Sequence, residues 1–208
     1  MTANAYVQYG CGFSAPAQWT NFDASPMLRL ERLPLVGRVV AGVNGRFPSN
    51  VIYGDIVKGL PVPLGSCNAI YCSHVLEHLS LNDFRVALLN TRRLLRAKGI
   101  FRLVVPDLRI AAQRYVAEQS EGAAIRFMTD TSLGIVERHK SVRGLLRGWL
   151  GNSQHLWMWD FHSLLPELQQ AGFTGTRCAR FADSEDPMFS AVEEESRWVD
   201  AVGIQCYA

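Results

Sequence analysis

Two histidines and a glutamate stand close together in the segment SHVLEH, residues 73–78. An unperturbed imidazole titrates near neutral pH, so His78 is suited to take a proton from a reacting hydroxyl group. The spacing H-x-x-E-H of His74, Glu77 and His78 is also a zinc-protease signature, in which both histidines bind the metal from one helix face. A buried structural role for His78 is a third interpretation.

Two acidic residues each follow a short apolar run earlier in the chain. Asp23 ends the aromatic-rich stretch 19–22, and Asp55 comes two residues after the stretch 51–53. In a nucleoside-binding sheet, an acid at the end of the second strand accepts hydrogen bonds from both ribose hydroxyls, each worth about 1.5–3 kcal/mol. The alternative role is a turn or a helix cap for Asp23, and a turn for Asp55.

The histidines lie inside a predicted strand–helix–strand unit. A strand over 69–72 precedes a helix whose apolar residues recur every three or four positions from Phe84 to Leu95, and a second strand covers 100–105. Ser80 with Asp83 predicts the start of the helix. Its end is predicted at a cap made by Arg96, Lys98 and Gly99. Ligands of such sheets bind beyond the carboxyl ends of the strands, where residues 73–78 and Asp107 stand.

The runs YCSHVLEHL and RRLLRAKGIFRLVVPDL carry a resemblance. They are similar to the central block of the class I S-adenosylmethionine-dependent methyltransferases, and most like a subgroup of small bacterial predicted methyltransferases of the methyltransferase type 11-like kind. The segment HLWMWD, residues 155–160, resembles the H-x-W-x-x-D block of that subgroup, which places its histidine near the transferred methyl group. Asp160 is equally suited to cap the helix that follows.

The resemblance implies S-adenosyl-L-methionine as cofactor, S-adenosyl-L-homocysteine as product, and no metal. It assigns His155 and His78 to catalysis, Asp23 to the ribose, and Asp55 and Ile56 to the adenine. The residues it assigns to cofactor binding are Tyr9, Gly10, Cys11, Gly12, Asp23, Ala24, Gly54, Asp55, Ile56, Ser73 and His74.

The glycine turn departs from the usual family pattern. About six residues separate Gly12 from Trp19, too few for a crossover helix, and Phe13 and Ser14 stand where a third glycine is usual. A lone G-x-G is also compatible with an ordinary tight turn. We therefore expect the first two strands to be joined by a loop.

The resemblance implies an α/β, Rossmann-like sheet of seven strands in the order 3-2-1-4-5-7-6, with the last strand antiparallel and the first crossover helix shortened or absent. Residues 1–208 then form one domain, in which 109–153 are a helical insertion that covers the acceptor site. A basic group in this insertion either orients an anionic substrate or is a solvated helix face. Its members are Arg138, His139, Lys140, Arg143 and Arg147.

Composition narrows the class of protein. The 208 residues carry 21 basic and 19 acidic side chains, a net charge of +2 that gives no reason to expect nucleic acid as a partner. The five cysteines form no C-x-x-C pair and are expected to be reduced thiols. The chain has no apolar run of membrane-spanning length and no basic, apolar leader at residue 1, so a cytoplasmic location away from membranes is expected.

The predicted function is methyl transfer to a small molecule, with oxygen of a sugar or secondary metabolite as the expected acceptor, by a monomer or homodimer. Two alternatives remain at this point. One is a binding protein that keeps the cofactor fold without catalysis, which the shortened glycine loop favours. The other is a zinc hydrolase that uses His74 and His78.

Overall fold

A computed structural model describes residues 6–33, 46–136 and 154–208. The strands are β1 Tyr6–Tyr9, β2 Thr20–Asp23, β3 Val51–Tyr53, β4 Cys67–Ser73, β5 Leu95–Pro106, β6 Thr174–Ala179 and β7 Ala201–Tyr207. The α-helices of the described part are α1 Pro26–Glu31, α2 Leu81–Leu94, α3 Leu108–Ala117, α4 Ala123–Asp130 and α5 Phe161–Gln170. Three short 3-10 turns cover Leu76–His78, Pro187–Ala191 and Glu195–Trp198.

The strands form one sheet in the order β3-β2-β1-β4-β5-β7-β6. Pairings from β3 to β5 are parallel, and β7 runs antiparallel to both of its neighbours. The predicted strand order and the single antiparallel strand are confirmed. In addition, β1 and β2 are joined by the loop 10–19 without a helix, as the short spacing predicted.

Apolar residues cover both faces of this sheet. The larger cluster packs Phe84 and Leu88 of α2 and Leu164 of α5 against β4 and β5. The opposite face carries a second cluster that includes Trp19, Tyr71 and Phe189. Coverage on both sides explains why residues 69–72 of β4 and 100–105 of β5 are almost all apolar.

Helix α2 begins as its sequence predicts. The hydroxyl oxygen of Ser80 accepts a hydrogen bond from the backbone N–H of Asp83 at 3.2 Å. The residues buried on its inner face are Phe84, Ala87, Leu88, Thr91 and Leu94, at the spacing of one helical stripe.

The predicted end of α2 is wrong. The helix stops at Leu94, and β5 starts at once with Leu95, which is buried and pairs with Cys67 of β4. The free energy gained by burying Leu95 in the sheet exceeds what four more helical residues would contribute. Gly99 therefore lies within the strand, where an added Cβ would lie 2.9 Å from the carbonyl oxygen of Cys67. Its close approach to β4, rather than a helix cap, explains the glycine.

A buried charge fixes the connection between β6 and β7. The guanidinium of Arg102 on β5 is fully buried and forms ion pairs with Glu193 and, at 2.8 Å, with Asp183. It also donates to the side chain of Gln205 at 3.0 Å and lies 4.8 Å from the ring of Trp198. Because Asp183, Glu193 and Trp198 lie on the connection between β6 and β7, Arg102 holds that connection against the sheet.

The predicted insertion after β5 is helical where it is described. Helices α3 and α4 contact each other through the rings of Tyr115 and Phe127, whose centroids are 5.4 Å apart. The basic group at 138–147 and the rest of the insertion up to 153 lie outside the described residues. Within the described ranges, no helix combines the length and apolar character that crossing a bilayer needs.

We expect Arg102→Met to lower the free energy of unfolding by about 3–5 kcal/mol, because it leaves the buried Glu193 carboxylate without its cation. The control is Arg114→Met, which removes the exposed ion pair with Asp200 and should leave stability nearly unchanged. Urea denaturation measures both. Adding Glu193→Leu to Arg102→Met should restore part of the loss, and equal midpoints for Arg102→Met and the native chain would contradict this account of the network.

Candidate active site

A cavity of about 450 Å³ opens at the carboxyl edge of strands β1 to β4. Pairing of the strands brings their ends level, since Tyr9 stands opposite both Phe22 and Cys72, and Asp23 stands opposite Tyr53. The residues at the ends of these strands, or just after them, therefore face the same cavity; Gly10, Asp23 and Gly54 are examples. A cavity of this size is in the usual range for a small-molecule or cofactor site.

Most of the residues predicted to bind a cofactor lie together at this cavity. Those that line it are Tyr9, Gly10, Gly12, Asp23, Ala24, Gly54, Ile56 and His74, and it also contacts His78. Cys11 and Ser73 line a small adjoining pocket instead. Asp55 borders a neighbouring cavity of about 520 Å³, which shares Ala24 and Pro26 with the first.

Asp23 links the glycine turn to the end of β2. Its carboxylate is almost completely buried and accepts hydrogen bonds from the backbone N–H groups of Gly12 at 2.9 Å and Ser25 at 2.7 Å. A carboxylate offers about four acceptor positions, so two remain for the hydroxyls of a ribose. The Asp23 carboxylate can therefore stabilise the glycine turn and, as predicted, bind a ribose at the same time.

The same carboxylate affects the neighbouring thiol. Burial, together with the charge of Asp23, raises the pKa of Cys11 to about 12. Cys11 therefore carries a neutral thiol, and it contributes packing beside the glycine turn rather than a nucleophile.

Gly10 is the position where the turn most needs a glycine. Its φ is +67°, and a Cβ built there would lie 2.0 Å from Cγ2 of Val75, which follows β4. The absence of a side chain thus lets the ends of β1 and β4 approach each other. At Gly12 the φ is +55° but a Cβ would meet no atom within 4 Å, so that backbone faces open space beside Asp23.

The geometry of Asp55 matches its turn interpretation. Its carboxylate accepts from the backbone N–H of Val57 at 3.0 Å and pairs with Lys58 at 3.1 Å. Ile56, next in the chain, is buried, and its carbonyl oxygen accepts from the side-chain amide of Asn90 on α2 at 2.8 Å. Ile56 is thus fixed at the cavity wall, while the contact of Asp55 with adenine stays a prediction.

The histidines gather around a buried carboxylate. Oε1 of Glu77 lies 3.4 Å from Nδ1 of His74 and 4.0 Å from Nε2 of both His78 and His155. The rings of His78 and His155 are 5.0 Å apart. The structure therefore brings the two residues predicted to be catalytic together, with His78 at the cavity wall and His155 behind it.

Glu77 also positions the segment that carries His155. Its carbonyl oxygen accepts from the backbone N–H groups of Leu156 at 2.8 Å and Trp157 at 3.1 Å. Further along, the ring of Trp159 stacks on Phe84 at 4.1 Å. Asp160 then caps α5 by accepting from the backbone N–H of Ser163 at 2.8 Å, as predicted.

Two of the imidazoles have shifted pKa values. Burial opposes protonation of His74, but the nearby carboxylate of Glu77 and a hydrogen bond to the carbonyl of Arg197 outweigh it and raise its pKa. Burial lowers the pKa of His155 despite the opposing charge of Glu77, and the neighbouring His78 adds to the decrease. His155 is therefore neutral near pH 7 and offers a lone pair.

The segment 74–78 lacks the helix that the zinc-protease signature needs. Residues 76–78 make one 3-10 turn, and His74 precedes it with a φ of +54°. The ring of His74 is also occupied, because its Nε2 donates to the carbonyl of Arg197 at 2.8 Å. His74 and His78 therefore cannot act as the paired ligands of that motif.

No motif in the sequence predicted a role for Arg197 at the site. This residue lies in the 3-10 turn Glu195–Trp198, yet it lines both the main cavity and the pocket of Cys11 and Ser73. Val75 and Leu79 also line the cavity without having been predicted to do so. Only the tertiary structure brings residue 197 to residues 9 and 73.

Comparison with known proteins decides the family. The profile of a family described as a methyltransferase domain matches residues 7–177. The chain belongs to this methyltransferase family. It is an S-adenosylmethionine-dependent enzyme, which confirms the predicted class and cofactor. No functionally curated protein matches the sequence significantly.

Solved structures share the fold of this methyltransferase at low identity. An S-adenosylmethionine-dependent methyltransferase from Thermotoga maritima aligns with 100% of the chain and 83% of its own, at 13% identity and a TM-score of 0.51. One from Archaeoglobus fulgidus aligns with 100% and 87%, at 12% identity and a TM-score of 0.51. One from Mesorhizobium loti aligns with 99% and 92%, at 16% identity and a TM-score of 0.50.

The cavity of the methyltransferase fits its cofactor chemically. The free acceptor positions of Asp23 suit ribose hydroxyls, and the apolar wall at Ile56 beside Gly54 suits a purine ring. At Gly54 a Cβ would lie 2.6 Å from the ring of Phe22, so the glycine allows residue 54 to pack closely against Phe22 at the sheet edge. The open space at Gly12 leaves backbone accessible beside the carboxylate.

We expect Gly10→Ala to weaken binding of S-adenosylhomocysteine by at least about tenfold, which corresponds to about 1.4 kcal/mol, because Val75 must move and the β1–β4 edge must open. Gly65→Ala is a matched control: Gly65 has a φ of +66°, and a Cβ there meets nothing within 4 Å. Both variants carry a similar backbone strain, so both should lose some stability. Isothermal titration that gave equal affinities for the two variants would contradict the role assigned to Gly10.

Proposed function

We propose that the enzyme transfers a methyl group to a hydroxyl oxygen of a small molecule, in the class of sugars or secondary metabolites. The observation that supports this choice is a pair of adjacent imidazoles: His78 lines the cavity, and the ring of His155 lies 5.0 Å from that of His78. A hydroxyl group has a high pKa and must lose its proton during transfer, whereas a neutral amine already has a nucleophilic lone pair. Two adjacent histidines supply that proton chemistry.

Ring orientation supports the same assignment. Nδ1 of His78 donates to the carbonyl of Gln154 at 3.0 Å, which leaves Nε2 with its lone pair when the ring is neutral. Nε2 of His155 faces the same carboxylate, Glu77, at 4.0 Å. Each imidazole thus has one nitrogen available on the side of Glu77, and the turn at 76–78 fixes their spacing.

The mechanism divides the work among residues on different strands. S-adenosylmethionine supplies a methyl group bound to a positively charged sulfur. Asp23, Gly12 and Ile56 hold the nucleoside, and residues 74–78 set the distance from it to the acceptor. The acceptor hydroxyl gives its proton to an imidazole and its lone pair to the methyl carbon, while the electrons of the broken carbon–sulfur bond stay on sulfur. Holding the two reactants in line lowers the activation free energy by up to about 7–11 kcal/mol.

A small acceptor suits the surroundings of the cavity. Helices α3 and α4 follow β5 directly. In the order of the sequence, the described part of the insertion therefore connects the sheet edge to the segment that carries His155. We propose that the described part of the insertion, 109–136, covers the acceptor. A nearly balanced charge of +2 supports a small substrate over nucleic acid, and the proposal needs neither a membrane nor an assembly larger than a homodimer.

The direct test incubates the enzyme with S-adenosylmethionine labelled in its methyl group and two acceptor panels, one of sugars and phenols and one of matched amines. We expect labelled products from hydroxyl acceptors. His155→Ala should then lower kcat by about a hundred- to ten-thousand-fold with unchanged affinity for S-adenosylhomocysteine. His162→Ala removes an exposed histidine and is the control.

Two results would contradict the proposal. One is transfer to amines alone, and the other is a native kcat in His155→Ala. A single turnover with any acceptor excludes the non-catalytic alternative that the shortened glycine loop favours.

A further inference from the structure

The carboxylate of Glu77 is buried without full compensation. Its side chain is completely inaccessible to solvent, and among the described residues neither oxygen has a hydrogen-bond partner of good geometry. Burying an unpaired charge is costly, so such groups are normally paired or bound to a metal. His74 approaches one side of the carboxylate at 3.4 Å. The other side faces His78 and His155.

Three potential ligand atoms converge on that other side. One atom each from Glu77, His78 and His155 lies within 4.8 Å of the other two. Both histidine Nε2 atoms are 4.0 Å from Oε1 of Glu77. Metal–ligand bonds of about 2.0–2.2 Å place the ligand atoms of one tetrahedral ion about 3.3–3.6 Å apart, so side-chain rotations that bring the atoms of each pair closer by up to about 1.5 Å close the set.

We propose that Glu77, His78 and His155 bind one divalent metal ion of the zinc type. Two imidazole nitrogens and a carboxylate oxygen suit zinc and its transition-metal neighbours better than magnesium or calcium, which prefer oxygen ligands alone. Three protein ligands leave a coordination position open, as in catalytic rather than structural zinc sites. The assignment departs from the metal-free site expected from the sequence, and it uses His155 in place of His74.

The surroundings of the three side chains support this ligand set. Metal-bound histidines usually donate their second ring nitrogen to a carbonyl or carboxylate, and Nδ1 of His78 donates to Gln154 in this way. His74 is held between Glu77 and the carbonyl of Arg197, so it orients the carboxylate. The backbone of Glu77 fixes residues 156 and 157, and thereby the position of His155.

The ion deepens the proposed function, on which this role rests. His78 borders the cofactor cavity, so the open position is available to the acceptor oxygen. A bound hydroxyl is more acidic, because the cation stabilises the alkoxide. Its proton leaves to water, the oxygen keeps the electron pair and donates it to the methyl carbon, and the carbon–sulfur pair stays on sulfur. With the ion bound, the cation polarises the oxygen in place of a free imidazole.

The test uses tag-free, full-length protein stripped with a chelator, in a Cys178→Ser background that removes the exposed thiol. Co²⁺ is added, the visible spectrum is recorded, and Zn²⁺ then competes. We expect one equivalent of Co²⁺, displaced by Zn²⁺ but not by Mg²⁺. His78→Ala and His155→Ala should each weaken binding by at least about the 10- to 100-fold seen when even the outer partners of metal ligands are removed, and His162→Ala should bind as the parent does.

The outcomes separate this inference from the proposed function. Less than one equivalent of Co²⁺, or equal binding by the parent and by His78→Ala/His155→Ala, overturns the metal site. A sulfur-to-cobalt charge-transfer band in the parent also overturns it, and this readout needs no variant to fold. Affinity for S-adenosylhomocysteine, measured on the same stripped samples, tests the cofactor site independently and reports whether each variant is folded.

Discussion

Parallel pairing of the first four strands is the constraint on which the active site depends. The ladder that sets Tyr9 opposite Phe22 and Cys72 also fixes the heights of Gly10, Asp23 and His74 at the sheet edge. A shift of one residue in any of these strands would turn its side chains to the opposite face. The apolar layers on both faces therefore define the cavity as firmly as the residues that line it.

Glu77 alone fixes the positions of a second group of residues at the site. Its backbone carbonyl holds the chain at 156 and 157, and its carboxylate faces three imidazoles. A short turn after β4 is thus connected to a segment almost eighty positions later in the chain. In the mechanism proposed above, the methyl acceptor, the proton it loses and the metal ion all meet where these two segments touch.

The resemblance to the family predicted the sheet order and most of the residues at the cofactor cavity, whereas local signals in the sequence predicted the cap at Asp160. They failed where tertiary burial outweighed local preference. Leu95 enters the sheet although the residues around it are compatible with a helix, and Gly99 serves a close approach to Cys67 that no cap pattern describes. Arg197 carries no motif at all, since its place at the cavity follows from the packing of the β6–β7 connection. The H-x-x-E-H spacing paired His78 with His74 in the zinc alternative, whereas the family resemblance paired His78 with His155, whose ring lies 5.0 Å away.

The buried guanidinium of Arg102 has a consequence for how this enzyme can be divided. The family profile ends at residue 177, yet Arg197 closes one wall of the cavity from beyond that point, on a connection that Arg102 holds in place. The thirty or so residues that follow residue 177 therefore cannot be exchanged freely between members of the family. A graft of them onto another member of the family would need a matching arginine in the recipient's fifth strand, because otherwise Glu193 would enter the interior without a counter-ion.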